Sequence, residues 1–434
     1  MSKGSLRERY EATRAKTKHY KLEKDISSAR VMYPTYFLTF DFFNGAIVKV
    51  KNEEKKLDFQ YNSVGIPDGS LVSFIGRSGS GKTTFAMQAA GAIVKEYDNS
   101  HIIHYDIEGG VLDTRVKKLL GFTNEEYEAK YDYRDKFIST ESVYKDIKSL
   151  YDFKIDNYEE YLYDTGMYDY KGEKIFKLQP TVIVLDSWAL LTPEKFEDEE
   201  ELSGNMGAAS STKVNTQFIK KVIQLLKPAN IILFVINHVL DSVNATLVPK
   251  KTQIAGLKQG ERTTGGNTVI YLSNNIIRFD DSTQLTEEKE FGINGKYVHV
   301  EFVKSRSNNP GRKTTLVLDY AKGFDKELSL YKFLKDEGYV KGSGAYFYIV
   351  GKEDTKFTQK KFKEKIQEDT ELAMHFASTA LEVLQSKMTI ADDIEEHIEL
   401  ENDVELEEET ETKEKIDVSK SIMNIMQGVY QQQA

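Results

Sequence analysis

From about residue 60 the chain alternates between short apolar runs and longer amphipathic segments. GSLVSFIG predicts a strand and GKTTFAMQAAGAIVKEY a helix, and SHIIHYDIE and GVLDTRVKKLLG repeat that order. PTVIVLDSW and NIILFVINH are almost continuously apolar, which is typical of strands buried on both faces of a parallel sheet. The alternation predicts an α/β core in which a mostly parallel sheet is flanked by helices.

Changes in composition divide the chain into four predicted parts. Residues 1–40 form a basic arm with helical spacing, and residues 41–328 carry the strand–helix pattern. Residues 329–390 predict a small α+β C-terminal domain, and residues 391–434 an acidic tail that we expect to be disordered. Within the core, the tyrosine-rich stretch 124–177 predicts a helix followed by an irregular excursion.

Composition and charge narrow the possible functions. The chain has no cysteine, which excludes disulfides, thiolate metal sites and cysteine nucleophiles. Neither an N-terminal signal peptide nor an apolar run of about 20 residues is present. We therefore expect a soluble, cytoplasmic protein that does not bind a membrane. Residues 392–414 hold thirteen acidic residues and one lysine, a charge of −12, so the rest of the chain carries +2 of the total of −10. The acidity is therefore a property of the tail.

A phosphate-binding loop is the strongest motif. GRSGSGKT, residues 76–83, matches G-x-x-x-x-G-K-[ST] between a predicted strand and a predicted helix. Lys82 would contact the β- and γ-phosphates, and Thr83 would place its hydroxyl on Mg²⁺. The loop predicts a nucleoside triphosphatase whose phosphate-binding residues are Gly76, Arg77, Ser78, Gly79, Ser80, Gly81, Lys82, Thr83 and Thr84.

Acidic residues end two further predicted strands. Asp186 closes TVIVLD and is placed to hold Mg²⁺. HYDIEGG brings Asp106 and Glu108 to the edge where α/β sheets bind ligands. Either carboxylate could orient and deprotonate the attacking water, because spacing alone does not distinguish them. The alternative is that these acids only end strands or turns.

In this order, the P-loop, DIE, VLDS, VINH and TTGGN resemble the motifs of the RecA family of ATP-dependent DNA strand-exchange proteins, and within it the UvsX-type recombinases of bacterial viruses. The resemblance covers roughly residues 60–320. It implies a RecA-like P-loop ATPase core with ATP and Mg²⁺ as cofactors. It also implies that Glu108 rather than Asp106 activates water and that His238 senses the γ-phosphate. Bacterial RecA has glutamine at that position, so His238 departs from the pattern.

The resemblance also implies two DNA-binding loops. SGNMGAAS, residues 203–210, resembles the first loop, with Met206 and Gly207 at the DNA and Lys213 nearby, although the preceding EKFEDEEE is acidic for such a role. A flexible turn is the alternative. Residues 239–267 resemble the second loop, whose DNA-binding residues would be Lys250, Lys251, Lys258, Arg262, Thr264, Gly265, Gly266 and Asn267.

Assembly is a further implication of the resemblance. Lys304 and Arg306 would reach across a subunit interface to the ATP of the neighbouring subunit, and the N-terminal arm would pack on an adjacent subunit. The partners would be single- and double-stranded DNA and further copies of this chain in a helical filament. Candidate protein partners are a single-strand-binding protein and a mediator or loader. If the protein is viral, its compartment is the cytoplasm of the bacterial host. The acidic tail could compete with DNA for the basic loops, or be solvated without such a role.

The resulting hypothesis is a DNA-dependent ATPase. It would form a filament on single-stranded DNA and catalyse homologous pairing and strand exchange in recombination, repair and recombination-dependent replication. One alternative is a hexameric helicase built on the same ATPase core, which would require a loading region. The other is a RecA-like ATPase switch whose hydrolysis is indifferent to DNA.

Overall fold

The computed structural model describes residues 22, 25–196, 205–241, 256–258, 260–264, 268–306 and 308–388. Of the predicted basic arm, residues 1–21, 23 and 24 lie outside the described residues, as does the whole of the predicted acidic tail, residues 391–434. Within the described part of the chain, no helix has the length and apolarity needed to cross a membrane.

Strands and helices are numbered separately in chain order. The strands are β1 Met32–Tyr33, β2 Ala46–Asn52, β3 Leu57–Ser63, β4 Ile66–Pro67, β5 Leu71–Gly76, β6 Ile102–Asp106, β7 Tyr131–Arg134, β8 Leu162–Tyr168, β9 Lys174–Leu178, β10 Thr181–Asp186, β11 Ile231–Asp241, β12 Glu261–Thr263, β13 Asn275–Leu285, β14 Gly295–Lys304, β15 Arg312–Asp319, β16 Gly323–Asp325, β17 Val340–Ser343 and β18 Tyr346–Ile349. The helices are α1 Leu38–Phe43, α2 Lys82–Lys95, α3 Asp113–Leu120, α4 Asn124–Lys130, α5 Thr140–Asp156, α6 Tyr158–Tyr161, α7 Asn205–Ala229, α8 Thr268–Leu272, α9 Lys326–Asp336, α10 Phe362–Glu368 and α11 Thr370–Ser386.

A large central sheet organises the molecule. Its strand order is β16-β15-β14-β13-β5-β11-β10-β6-β7, and the short β12 pairs with β11. The strands from β13 to β7 in this order are parallel, whereas β14, β15 and β16 extend the sheet in antiparallel fashion. The predicted α/β class with a mostly parallel sheet is thus confirmed.

Helices cover both faces of this sheet because its central strands are apolar on both sides. In β5, Val72 and Phe74 belong to one hydrophobic cluster with α2 and α3, while Leu71 and Ile75 belong to a second cluster with α5 and α7. All six residues of β5 and of β10 are buried. Continuous burial explains why these strands are visible in the sequence as apolar runs.

The C-terminal helices share the first of these clusters. Tyr331 of α9, Phe362 of α10 and Phe376 of α11 are fully buried in the cluster that contains Phe74. The predicted boundary between residues 328 and 329 falls inside α9, and the boundary between residues 40 and 41 falls inside α1. Neither boundary coincides with a loop.

The stretch 124–177 is more regular than the sequence pattern suggests. It contains α4, the edge strand β7, α5, α6 and the hairpin of β8 and β9. This hairpin contacts the β2–β3 hairpin: the Tyr61 hydroxyl donates to the Tyr168 carbonyl over 2.9 Å, and the rings of Phe59 and Tyr168 meet edge to face. The expected irregular excursion is therefore a hairpin supported by another hairpin.

Candidate functional site

The glycine-rich loop lies between the carboxyl end of β5 and the first residue of α2. Gly79 and Gly81 have φ angles of +75° and +93°, which side chains rarely adopt. A Cβ on Gly76 would lie 2.3 Å from the Phe279 carbonyl oxygen, so this glycine permits a close approach to β13. The loop consequently presents backbone N–H groups and the positive end of α2 to the same space, an arrangement suited to phosphate.

Lys82 is folded back onto this loop. Its buried ammonium donates to the carbonyl oxygens of Gly76 over 3.1 Å and Arg77 over 2.8 Å. Burial lowers the pKa of Lys82 to about 8, although Asp186 and Glu108 act in the opposite direction. A phosphate oxygen could replace the carbonyl acceptors and favour the charged amine.

Thr83 and Asp186 form the candidate magnesium site. The Thr83 hydroxyl donates to Oδ2 of Asp186 over 2.7 Å, and Asp186 is the last residue of β10. Within the described residues no group of three or more His, Cys, Asp and Glu side chains could hold a metal ion. One hydroxyl and one carboxylate still fit Mg²⁺, which prefers oxygen ligands. Water molecules and the phosphates of the substrate would supply its remaining ligands.

Glu108 and His238 meet beside the loop. Nε2 of His238 lies 2.8 Å from Oε1 of Glu108, and the Glu108 side chain is 41% exposed. Burial opposes ionisation of this carboxyl, but its neighbours Ser187 and His238 together hold the pKa of Glu108 below the usual value. Glu108 is therefore a charged, accessible carboxylate in contact with a second polar side chain.

Asp106 has a different environment. It is 1% exposed and accepts hydrogen bonds from the backbone N–H of Gly109 over 2.9 Å and of Val111 over 3.3 Å. The Tyr133 hydroxyl on the edge strand β7 also donates to Asp106, over 2.9 Å. Asp106 thus anchors the loop that carries Glu108. The sequence offered no signal for Tyr133, which lies in the stretch interpreted as irregular.

Asn237, the residue before His238 on β11, connects this site to another segment. Asn237, adjacent to His238, is fully buried. Its Oδ1 accepts from the Thr264 hydroxyl over 3.0 Å, and its Nδ2 donates to the Thr264 carbonyl over 3.2 Å. Thr264 is the predicted DNA-binding residue that directly precedes Gly265, Gly266 and Asn267, which lie outside the described residues.

The other predicted DNA-binding residues are spread over three elements. Met206 and Gly207 lie in the first turn of α7, so the backbone there is helical rather than a loop, and Lys213 is exposed on the same helix. Arg262 is exposed on β12. The ammonium of Lys258 is paired with Asp280 over 2.9 Å, so DNA would have to compete with this carboxylate. Lys250 and Lys251 lie outside the described residues.

Lys304 and Arg306 lie at the opposite end of the sheet from the phosphate loop. Lys304 pairs with Ile276, which pairs with Ser73 near the start of β5. Its ammonium donates to the Tyr271 carbonyl over 2.7 Å. Arg306 is exposed just beyond the end of β14. The structure therefore does not bring these two residues to the phosphate loop of their own subunit.

Two contacts to the phosphate loop were not predicted. The guanidinium of Arg77 pairs with both carboxylate oxygens of Asp241, the last residue of β11, over 2.6 and 3.2 Å. The ammonium of Lys296 on β14 donates to the Gly79 carbonyl over 2.6 Å. Neither Asp241 nor Lys296 belongs to a motif, so only the tertiary structure reveals them.

A glycine-rich loop between a buried parallel strand and a helix N-terminus defines a P-loop α/β protein. No protein-family model matches the chain. Curated relatives do: the chain is 23% identical to "Protein RecA" of Borrelia hermsii over 340 residues, which are 75% of this chain and 81% of the relative. It is 23% identical to "Protein RecA" of Francisella tularensis subsp. novicida over 358 residues, 79% of this chain and 86% of the relative. This similarity over most of the chain supports a RecA-family protein, and the mixed sheet flanked by helices agrees with a RecA-like core.

Proposed function

We propose that this protein is an ATP-dependent DNA recombinase of the type found in bacterial viruses. It forms a helical filament on single-stranded DNA and pairs that strand with homologous duplex DNA. The single observation that carries the proposal is on β11, where two adjacent residues face different partners. His238 contacts Glu108 beside the phosphate loop, and Asn237 holds Thr264 at the start of TGGN.

Hydrolysis of ATP is assigned to the residues around the loop. The N–H groups of residues 79–83 and the ammonium of Lys82 bind the phosphates. Thr83 and Asp186 hold Mg²⁺, which neutralises charge on the phosphate oxygens when it is bound. Glu108 accepts a proton from the attacking water. Its lowered pKa keeps the carboxylate ionised, and therefore able to accept a proton, at neutral pH.

The coupling to DNA follows from the same strand. In the proposed coupling, His238 turns from Glu108 toward the γ-phosphate and shifts β11 together with Asn237. Asn237 holds Thr264 directly. In this proposal the position of Thr264 therefore differs with and without nucleotide. A segment with two such arrangements can grip DNA in one state and release it in the other.

DNA binding and assembly rest on the distribution of the basic residues and on the relatives. Lys213 and Arg262 are exposed, as phosphate-binding cations must be. Lys304 and Arg306 lie far along the sheet from their own phosphate loop, which suits a role at the site of a neighbouring subunit. The relatives named "Protein RecA" align over most of the chain.

The test is ATP hydrolysis by the full-length protein with and without single-stranded DNA, combined with electron microscopy of the same samples. We expect hydrolysis to be stimulated by DNA and helical filaments to form only when DNA and nucleotide are both present. The Lys82→Ala variant should lose nucleotide binding by about tenfold or more, because it removes a charge-assisted contact to phosphate. Lys148→Ala, an exposed lysine on α5, is the matched control.

Two outcomes would contradict the proposal. Hydrolysis that is the same with and without DNA would identify an ATPase switch. Closed rings in place of helical filaments would identify a helicase-like assembly. Filaments on DNA without hydrolysis would leave the binding part intact and refute only the roles given to Glu108 and His238.

A further inference from the structure

Lys296 lies outside the P-loop motif in the sequence, but its side chain contacts the phosphate loop. It lies near the start of β14, and its side chain is 6% exposed. Its ammonium donates to the Gly79 carbonyl over 2.6 Å and to Oδ1 of Asp281 over 2.7 Å. A buried ammonium is costly unless its hydrogen bonds are satisfied, and one of the two acceptors here is the backbone of the loop itself.

The topology explains how β14 reaches the loop. Gly76, the last residue of β5, pairs with Phe279, but β13 continues for six further residues to Leu285. Lys296 pairs with Gln284 in this extension, and the register between β13 and β14 shifts between Asp281 and Gln284. The β13–β14 hairpin therefore projects past the end of β5 and flanks the loop that follows it.

The contact sets the direction of a peptide group that phosphate binding requires. The carbonyl of Gly79 and the N–H of Ser80 belong to one trans peptide and point in opposite directions. With its carbonyl held by Lys296, this peptide directs the Ser80 N–H to the interior of the loop, where it donates to the Arg77 carbonyl over 3.3 Å. The Lys82 ammonium donates to the same carbonyl over 2.8 Å. A phosphate oxygen bound in place of this carbonyl acceptor would accept hydrogen bonds from the Ser80 N–H and from the Lys82 ammonium.

We infer that Lys296 is a positioning residue of the phosphate loop, which holds the Gly79 carbonyl outward so that the loop is preformed for the phosphates of a nucleoside di- or triphosphate. This inference rests on the proposed nucleotide site. Lys296 also adds a positive charge close to Lys82. Burial is the main cause of the lowered pKa of Lys82, and Lys296 contributes in the same direction. Preformed, oriented donors bind an anion more tightly because less ordering accompanies binding.

A purely structural role would look different. Lys313 on β15 pairs with Glu301 on β14 over 3.5 Å, and its side chain is 68% exposed. That pair bridges two neighbouring strands of the same sheet and makes no contact with the loop. Lys313→Met is therefore the control for removing a lysine that pairs with an acid on the β13–β15 part of the sheet, and Lys296→Arg is the control for changing the buried position itself.

The experiment measures equilibrium binding of ATP and ADP by the full-length protein, and KM and kcat for hydrolysis with single-stranded DNA. For Lys296→Met we expect Kd and KM to rise about tenfold while kcat changes less than about twofold, because a preformed loop acts on binding of the ground state. Lys296→Arg, which keeps the charge and the donors, should restore most of the affinity. Lys313→Met should bind nucleotide like the wild type.

Wild-type affinity in a folded Lys296→Met variant would overturn the inference, as would an equal loss in Lys313→Met. If Lys296→Met does not fold, Lys296→Gln takes its place: the glutamine amide nitrogen is one bond nearer the backbone than the lysine ammonium, so from the same position it does not reach the Gly79 carbonyl. We then expect a Kd between those of the wild type and Lys82→Ala, and an unchanged Kd would overturn the inference. If the wild type itself binds no nucleotide, the proposed function fails. If the wild type binds and Lys82→Ala does not, an unaffected Lys296→Met refutes the Lys296 inference alone.

Discussion

Asp106 and Glu108 are two residues apart, and their environments give them different tasks. Asp106 is buried and each of its carboxylate oxygens accepts hydrogen bonds from the loop that follows or from Tyr133, so it has little capacity left for water. Glu108 is partly exposed, and Oε1 of its carboxylate lies 2.8 Å from Nε2 of His238. At the scale of the residue, Asp106 is suited to structure and Glu108 to proton transfer.

This division predicts the behaviour of Glu108→Gln. Glutamine keeps the volume of the side chain and an acceptor for His238, so ATP and DNA should bind nearly as in the wild type. It cannot take a proton, and hydrolysis should fall by about 100-fold or more, the usual contribution of a general base. Single-turnover hydrolysis and nucleotide binding measured on the same sample test this. Glu128→Gln, an exposed change on α4, is the control, and near-normal turnover in Glu108→Gln would assign the base elsewhere.

A second residue whose charge depends on its surroundings is Lys154 on α5. It is fully buried, and its ammonium donates to the Gln179 carbonyl over 2.7 Å and to the Thr181 hydroxyl over 3.2 Å. Both acceptors are uncharged, and within the described part of the chain no carboxylate forms an ion pair with it. Burial lowers the pKa of Lys154 to about 7. In the unfolded chain the lysine has its ordinary pKa of about 10.4.

The free energy of unfolding should therefore depend on pH through Lys154. Between pH 7 and about 10 the unfolded chain binds the proton that the folded protein has lost, so stability rises with pH in this range, by at most about 1.4 kcal/mol per pH unit. Urea denaturation at pH 7, 8 and 9 measures the slope. Lys154→Met should lack this part of the rise, whereas Lys148→Met on the same helix should retain it. Equal slopes in all three proteins would refute the assignment.

At the scale of the element, the sequence pattern predicted the strands that are buried on both faces and the motifs at their ends. β5, β10 and β11 are continuous apolar runs because residues on both sides of each strand are covered by helices. The P-loop is visible because its glycines and Lys82 are close together in the chain. The edge strand β7 was missed, since its four residues YDYR are all half-buried and their alternation of tyrosine with charged residues is short and continues directly from α4.

Other features depend on contacts between residues far apart in the chain, which the local sequence pattern does not predict. The contact of Lys296 with Gly79 joins residues 217 positions apart, and it requires both the extension of β13 and the irregular register with β14. Likewise, α7 begins at Asn205 within a segment rich in glycine, serine and alanine that reads as a loop. The Lys296 contact is a product of the tertiary structure, and for the start of α7 the local pattern alone is a weak guide.

At the scale of the whole molecule, the two ends of the sheet carry different parts of the proposed ATPase site. The phosphate loop follows Gly76 at the carboxyl end of β5. Lys304 lies at the other end of the sheet, paired through Ile276 of β13 with Ser73 near the start of β5. A single subunit therefore cannot bring Lys304 to its own phosphate site without refolding the sheet. If copies stack with the same orientation, the end that carries Lys304 in one subunit faces the phosphate loop of the next.

This arrangement predicts complementation between two inactive variants. Glu108→Gln lacks its own base but supplies Lys304, whereas Lys304→Ala has an intact loop and base but supplies no lysine to its neighbour. Each should hydrolyse ATP poorly alone. In an equimolar mixture on single-stranded DNA, about a quarter of the interfaces pair an intact site with an intact Lys304, so about a quarter of wild-type activity should return.

The control mixture combines Glu108→Gln with Lys82→Ala. Every site in it lacks either the base or the phosphate-binding lysine, so no interface is complete and no activity should return. Recovery in this mixture would mean that the variants retain activity of their own. Absence of recovery in the test mixture, with filaments present by electron microscopy, would place the action of Lys304 within one subunit. The same measurement with Arg306→Ala in place of Lys304→Ala determines whether the exposed arginine also acts across the interface. Arg306 lies just beyond β14, at the same end of the sheet as Lys304, so it too would reach the phosphate loop of a neighbouring subunit rather than its own.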